Sequence, residues 1–181
     1  MPAFVAMLRG INVGGHNTIK MDRLVSLCHS LGFQSVKTYV QSGNIVFLAA
    51  RESPEVLSKR ISGTVSRTLG SDVPVIVRTS KEMGKVILDN PFLKEKGIDL
   101  SKLHVTFFSE TVQEGSLGKL DALATGPDRL HPGHHEIYLY CPDGYGRTKL
   151  SNVAIEKALS VRATTRNWKT TCTLSEMASQ L

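Results

Sequence analysis

A chain of 181 residues, 41% hydrophobic and 21% charged, can bury a sizeable core and excludes wholesale disorder. Its 22 Lys and Arg against 16 Asp and Glu leave a net charge of +6, with an isoelectric point near 9.3. That balance points to anionic partners, but no run of basic residues forms a nucleic-acid-binding tail. Three widely spaced cysteines (Cys28, Cys141 and Cys172) with no C-x-x-C pair read as reduced, mostly buried thiols. The first apolar run is short and ends at Arg9, so neither a signal peptide nor a transmembrane helix is expected; the expectation is a cytoplasmic protein without a membrane partner.

In chain order, Phe4 to Leu8 is too short for a helix and reads as a buried strand. It runs into Arg9-Gly10-Ile11-Asn12-Val13-Gly14-Gly15, a loop whose glycines let backbone approach a ligand while an Arg and an Asn stand beside it. Met21, Leu24, Val25, Leu27, Cys28 and Leu31 form the stripe of an amphipathic helix closed by Gly32. Val36 to Val40 and Ile45 to Leu48 flank the turn Gln41-Ser42-Gly43-Asn44 and predict a hairpin. Ser53 and Pro54 start a second helix with Leu57, Ile61, Val65 and Leu69 inward and Gly70 at its end. Val73 to Val77, with Pro74 near its start, predicts an edge strand.

Strand, helix, strand, strand, helix, strand folds through right-handed crossovers into an antiparallel sheet of order 4-1-3-2, with both helices on one face. That geometry puts the Arg9–Gly15 loop and the Gln41–Asn44 tip at the same end of the sheet. The pattern then recurs. Ser80 is read as the cap of a further helix ending at Asn90-Pro91, and Lys94 to Ser101 as a linker. Leu103 to Phe108 is a strand, and Leu117 to Ala124 a short helix weakened by Gly115 and Gly118. Arg129–His131 and Glu136–Cys141 form a hairpin, Val153 to Leu159 a helix, and Thr164-Thr165 a short strand. Asn167 caps a last helix. The expected fold is therefore α+β: two ferredoxin-like βαββαβ halves in tandem, residues 1–95 and 96–181, the second carrying the C-terminal helix.

The motifs narrow the chemistry. Gly10 and Gly15 have P-loop spacing, but His16-Asn17 stands where Lys-Ser/Thr is needed to reach phosphate and Mg²⁺. No G-x-G-x-x-G follows a strand, so a Rossmann site is excluded. What remains is an anion-binding loop before a helix, with Lys20 at its end. His131, His134 and His135 cluster, but the last two are neighbours in an extended segment and are expected on opposite faces, so no metal site is expected. Tyr145-Gly146-Arg147-Thr148-Lys149 is a basic loop before a helix. Thr164-Thr165-Arg166-Asn167 combines hydroxyls, a guanidinium and a cap, and reads equally as a structural cap with an Arg ion pair or as a phosphate or carboxylate grip. No elbow serine, H-E-x-x-H or kinase set is found. Glu110 and Glu114 are loop carboxylates without a visible partner, and aromatics are too sparse for single-strand RNA stacking.

These segments resemble the domain-of-unknown-function 1697 family. The likeness rests on Leu8 to Gly15, on Lys20-Met21 with Leu24, on Thr38 to Phe47, and on Thr164 to Trp168 with Thr170. The Gly144–Lys149 loop resembles a family loop that often has Ser before Lys, a place held here by Thr148. The resemblance implies a mostly bacterial, cytosolic α+β protein and no established activity.

The residues themselves support a ligand site built from Arg9, Asn12, Gly14, Gly15, Lys20, Gln41, Ser42, Asn44, Arg166 and Asn167, with no cofactor. The first expectation is a binding module for a phosphate-bearing ligand, a nucleotide or nucleic acid. An enzyme on a small phosphorylated or acidic metabolite is the second, ranked lower because no general base is visible. A protein-interaction module whose basic charge is incidental is the third.

Overall fold

The computed structural model describes residues 1–181 apart from the side chain of Glu114, so the carboxylate read there lies outside the described residues. Two compact units emerge, Met1–Gly84 with Thr173–Leu181, and Lys85–Cys172.

In the first unit, β1 (Ala3–Leu8), α1 (Met21–Ser30), β2 (Gln34–Tyr39), β3 (Asn44–Leu48), α2 (Pro54–Leu69) and β4 (Val75–Thr79) follow one another. The strands form one antiparallel sheet in the order β2-β3-β1-β4, which is the expected 4-1-3-2 arrangement. Phe4, Ala6 and Leu8 of β1 share a core with Leu24 and Cys28 of α1 and Leu57, Ile61 and Val65 of α2. Both helices therefore cover one face. Val5 and Met7, on the other face, are also fully buried, which explains why β1 reads as a continuous apolar run instead of an alternating one. Ser53 accepts from the Val56 N–H at 3.3 Å to cap α2, and Gly70 ends it in the left-handed region at φ +70°. Val73 belongs to the core, but β4 starts at Val75: Val73 and Pro74 lead into the strand, and the Pro74 carbonyl accepts from the Arg9 N–H at 2.9 Å.

β4 runs straight into α3 (Ser80–Leu88). Its cap is Thr79, not Ser80: Thr79 Oγ1 accepts from the Glu82 N–H at 3.1 Å and Glu82 Oε2 accepts from the Thr79 N–H at 2.7 Å, a reciprocal capping box.

The second unit repeats the plan. β5 (Leu103–Phe108), β6 (Arg129–Pro132), β7 (Glu136–Tyr140), α4 (Asn152–Leu159) and β8 (Ala163–Asn167) precede α5 (Trp168–Ser179). Its antiparallel sheet has the order β6-β7-β5-β8, again 4-1-3-2. The short helix expected before β6 is a 3-10 segment, Glu114–Leu120. The compact units part at Gly84/Lys85 and return Thr173–Leu181 to the first unit, so they differ from a division at residue 95 that leaves the C-terminal helix with the second half. The stretch read as a linker is pinned inside the second unit. Glu95 Oε2 accepts from Arg129 Nη1 at 2.9 Å, and Phe92, fully buried, lies under the same guanidinium at 5.2 Å. Among the described residues, no helix is long and apolar enough to cross a membrane.

Candidate functional site

The Arg9–Gly15 loop and the hairpin tip are joined by one side chain. Asn12, at φ +56°, donates from Nδ2 to the Gln41 carbonyl at 2.8 Å and to the Ile19 carbonyl at 3.0 Å, while its Oδ1 accepts from the Ile19 N–H at 2.8 Å. The left-handed backbone that Asn tolerates turns its amide inward across the loop. The loop is closed further by Asn12 N–H to the Asn17 carbonyl at 3.2 Å and by a bridge between Val13 and His16. On the other side, Leu8 N–H donates to the Gly43 carbonyl at 2.8 Å. A Cβ on Gly43 would lie 2.8 Å from Leu8 Cβ and 3.2 Å from Ile11 Cβ, so only glycine lets the tip pack this close to the loop.

Asn44 is buried, its amide donating to the Tyr39 carbonyl at 3.0 Å and to Ser42 Oγ at 2.9 Å. Asn12 and Asn44 therefore spend their amides on the scaffold. What faces outward is a different set: Gly14, Gly15, His16, Lys20 and Gln41 are exposed, and Arg9 is half-buried. Val13 and Val40 stand among them at 63% and 53% exposure. Gly14 and Gly15 hold φ of +59° and +77°, and a Cβ added to either would meet nothing within 4 Å, so their backbone is open to solvent.

Arg166 and Asn167 belong to the second unit. Asn167 Oδ1 accepts from the Thr170 N–H at 2.8 Å and caps α5. Arg166 is only 9% exposed, with Nη1 on Thr164 Oγ1 at 2.8 Å and on the Thr165 carbonyl at 2.9 Å. Burial pulls its pKa down to about 10, against the opposing pull of Tyr145, so it remains a cation at neutral pH, set inside the fold. Arg78 occupies the matching place in the first unit: Val5 pairs with Arg78 as Val105 pairs with Arg166, and Arg78 is likewise buried.

His134 and His135 do not point to opposite faces. They sit in bends before β7 with ring centroids 4.5 Å apart, because strand alternation does not apply in a turn. Glu136 gathers that turn, accepting from the His134 and His135 N–H groups at 3.1 and 3.2 Å. His131 is turned elsewhere, 3.7 Å from Glu95. The structure also brings together two stretches that the sequence offered separately: Tyr145 donates its hydroxyl to Thr165 Oγ1 at 3.1 Å. His104, which no motif marked, stacks on Tyr145 at 4.8 Å.

Fold and surface define an α+β protein of two tandem halves with a glycine-rich, basic loop at one end of the first sheet. A family described as "Protein of unknown function (DUF1697)" matches residues 1–138, and the chain belongs to that family. The Thr164–Trp168 segment lies beyond the matched residues. Among solved structures, the conserved bacterial protein SP0830 from Streptococcus pneumoniae is similar, with a TM-score of 0.78 and 21% identity over 98% of each chain. At that identity the likeness concerns the fold. No curated protein matches the chain.

Proposed function

We propose that the first unit binds a phosphate-bearing ligand, a nucleotide or a nucleic-acid segment, on the surface formed by the Arg9–Gly15 loop and the Val40–Asn44 tip. One observation carries the reading: the 2.8 Å bond from Asn12 Nδ2 to the Gln41 carbonyl makes a single surface of two turns that are far apart in sequence. On that surface Arg9 and Lys20 supply positive charge, the open backbone at Gly14 and Gly15 supplies N–H donors, and the Gln41 amide supplies orientation. Val13 and Val40 offer apolar area to a sugar or base. Asn12, Ser42 and Asn44 hold the surface in shape. Arg166 and Asn167 are left out of it, since the one is buried and the other caps α5.

The protein carries +6 overall, which favours encounter with polyanions. The test is a thermal-shift screen of ATP, AMP and a short single-stranded oligonucleotide against the wild type and Arg9→Ala and Lys20→Ala variants. Stabilisation that weakens in both variants and falls with added salt is expected. If none of these anions raises the melting temperature of the wild type, the reading fails. Equal stabilisation of all three proteins would place binding elsewhere.

A further inference from the structure

The two halves share one register, and this allows their cores to be compared position by position. Ala6 faces Val77 as Thr106 faces Thr165, and Phe4 faces Thr79 as His104 faces Asn167. In the first half, Phe4, Ala6 and Val77 are all buried in the apolar core beneath the helices. In the second, the same three places hold His104, Thr106 and Thr165, while the neighbouring places Phe108 and Ala163 remain apolar and buried. The fold itself accepts hydrocarbon here. Polar residues at places where an identical architecture is content with apolar ones are the mark of a site.

Thr165 Oγ1 donates to Asn152 Oδ1 at 2.7 Å and receives Tyr145 OH at 3.1 Å. With its one proton committed, its 2.7 Å contact with Thr106 Oγ1 requires Thr106 to donate. That hydroxyl is then saturated, with one bond given and two accepted. Its bond to Asn152 Oδ1 orients that side-chain amide, whose NH₂ is a donor. His104 supplies an acceptor. Its Nδ1 lies 3.4 Å from the Lys102 carbonyl, which selects the tautomer with the proton on Nδ1 and leaves the lone pair on Nε2. Burial holds the His104 pKa below its ordinary value, in keeping with that neutral form. Tyr145, bonded to Thr165 and stacked on His104, holds the imidazole ring in place. Exposed Arg147 and Lys149 follow Tyr145 in the same loop.

We propose that His104 and Asn152, positioned by Tyr145 and Thr165, form a second ligand site, in the second unit, for a sugar phosphate. Hydroxyls of the sugar donate to His104 Nε2 and accept from Asn152 Nδ2, and the phosphate is held by Arg147 and Lys149. This site is independent of the Arg9 surface.

The test is isothermal titration of the full chain with ribose 5-phosphate, glucose 6-phosphate and inorganic phosphate. It is repeated on His104→Phe and on the Thr106→Ala/Thr165→Val pair, which install the first half's residues, and on Arg9→Ala. At least one sugar phosphate should bind saturably and at least tenfold more tightly than inorganic phosphate. Affinity should drop at least tenfold in His104→Phe and in the pair, and stay unchanged in Arg9→Ala. The melting temperature of the pair should equal or exceed that of the wild type. Four results would overturn the proposal: no saturable binding of either sugar phosphate, binding no tighter than that of inorganic phosphate, binding indifferent to His104→Phe, or loss on Arg9→Ala alone. A pair that unfolds or melts well below the wild type would also overturn it, by showing that the hydroxyls are there for stability.

Discussion

Gly43→Ala is the sharpest test of how the loop and the hairpin tip are fitted together. Two separate costs act at this position. The first is conformational: Gly43 sits at φ +77°, and a residue with a Cβ gives up about 1–2 kcal/mol in that region. The second is steric. The new Cβ would stand 2.8 Å from Leu8 Cβ and 3.2 Å from both Cβ and Cγ1 of Ile11. Leu8 and Ile11 are buried at 0% and 1% exposure, and neither contact at Cβ is the far end of a flexible chain. Overpacking of this kind costs about 1–3 kcal/mol. The sum is about 2–5 kcal/mol, a large part of the stability of an ordinary domain. Gly15 provides a matched control, since it has the same φ of +77° and nothing within 4 Å of the added Cβ. Gly15→Ala should therefore show only the first cost, about 1–2 kcal/mol. Urea unfolding followed by far-ultraviolet circular dichroism measures both variants. Equal losses in the two would refute the claim that close packing, as distinct from backbone conformation, demands glycine at the tip.

Asn12→Ala removes three hydrogen bonds that tie the loop to itself and to Gln41; at about 1 kcal/mol each the loss should be about 2–4 kcal/mol, with faster amide exchange at Ile19 as the local readout. Among the cysteines, burial pushes the Cys28 thiol up to about 12 and Cys141 up to about 11, whereas Cys172 is only half-buried. Thiol titration of the native protein at pH 8 should thus label Cys172 well before the other two, and comparable labelling of Cys28 would contradict its place in the α1 core. His104 is held below its ordinary value of 6.5, mainly by burial. The unfolded chain therefore binds the proton more readily, and the stability from keeping His104 neutral is full above 6.5 and lost as pH falls through that value toward the lower folded one. His104→Phe should flatten this part of the stability profile, measured by urea midpoints between pH 7.5 and 5; an unchanged slope would show that other groups set it.

Periodicity carried most of the architecture. The stripes of α1 and α2, the Gly32 and Gly70 end signals and the right-handed crossover rule were enough to place every strand of the first sheet, in order and direction. They failed where local choice depends on a partner. Both Thr79 and Ser80 are competent caps, and Glu82 decides between them by reaching back to Thr79. Asn12, Gln41 and Asn44 read in the sequence as ligand contacts; in the structure the Asn12 and Asn44 amides bond to the protein's own groups, and Gln41 stands exposed. Whether an amide faces a ligand or its own backbone turns on φ and on nearby carbonyls, neither of which is written in residue type. Arg78 escaped notice altogether. A charged residue near a strand end reads as solvated, and nothing local reveals that its strand is buried on both faces.

The two halves hold an arginine at the same register. Arg78 and Arg166 lie opposite Val5 and Val105 on the first strand of each sheet, and each is followed by a capping residue and a helix, Thr79 with α3 and Asn167 with α5. Keeping a buried guanidinium at the same register in both halves, despite the desolvation it entails, ties it to the shared scaffold. The positions that differ are then the informative ones. The first half puts Phe4, Ala6 and Val77 beneath its helices and places its polar groups in the long loop after β1. The second has a shorter, 3-10 connection before its hairpin and places its polar groups under α4. One scaffold has thus been made chemically distinct in two different layers, at the sheet end in one half and within the helix-covered face in the other. The two proposed surfaces therefore draw on different layers of the same scaffold, the loop after β1 in one half and the Thr165–Asn152 contact in the other.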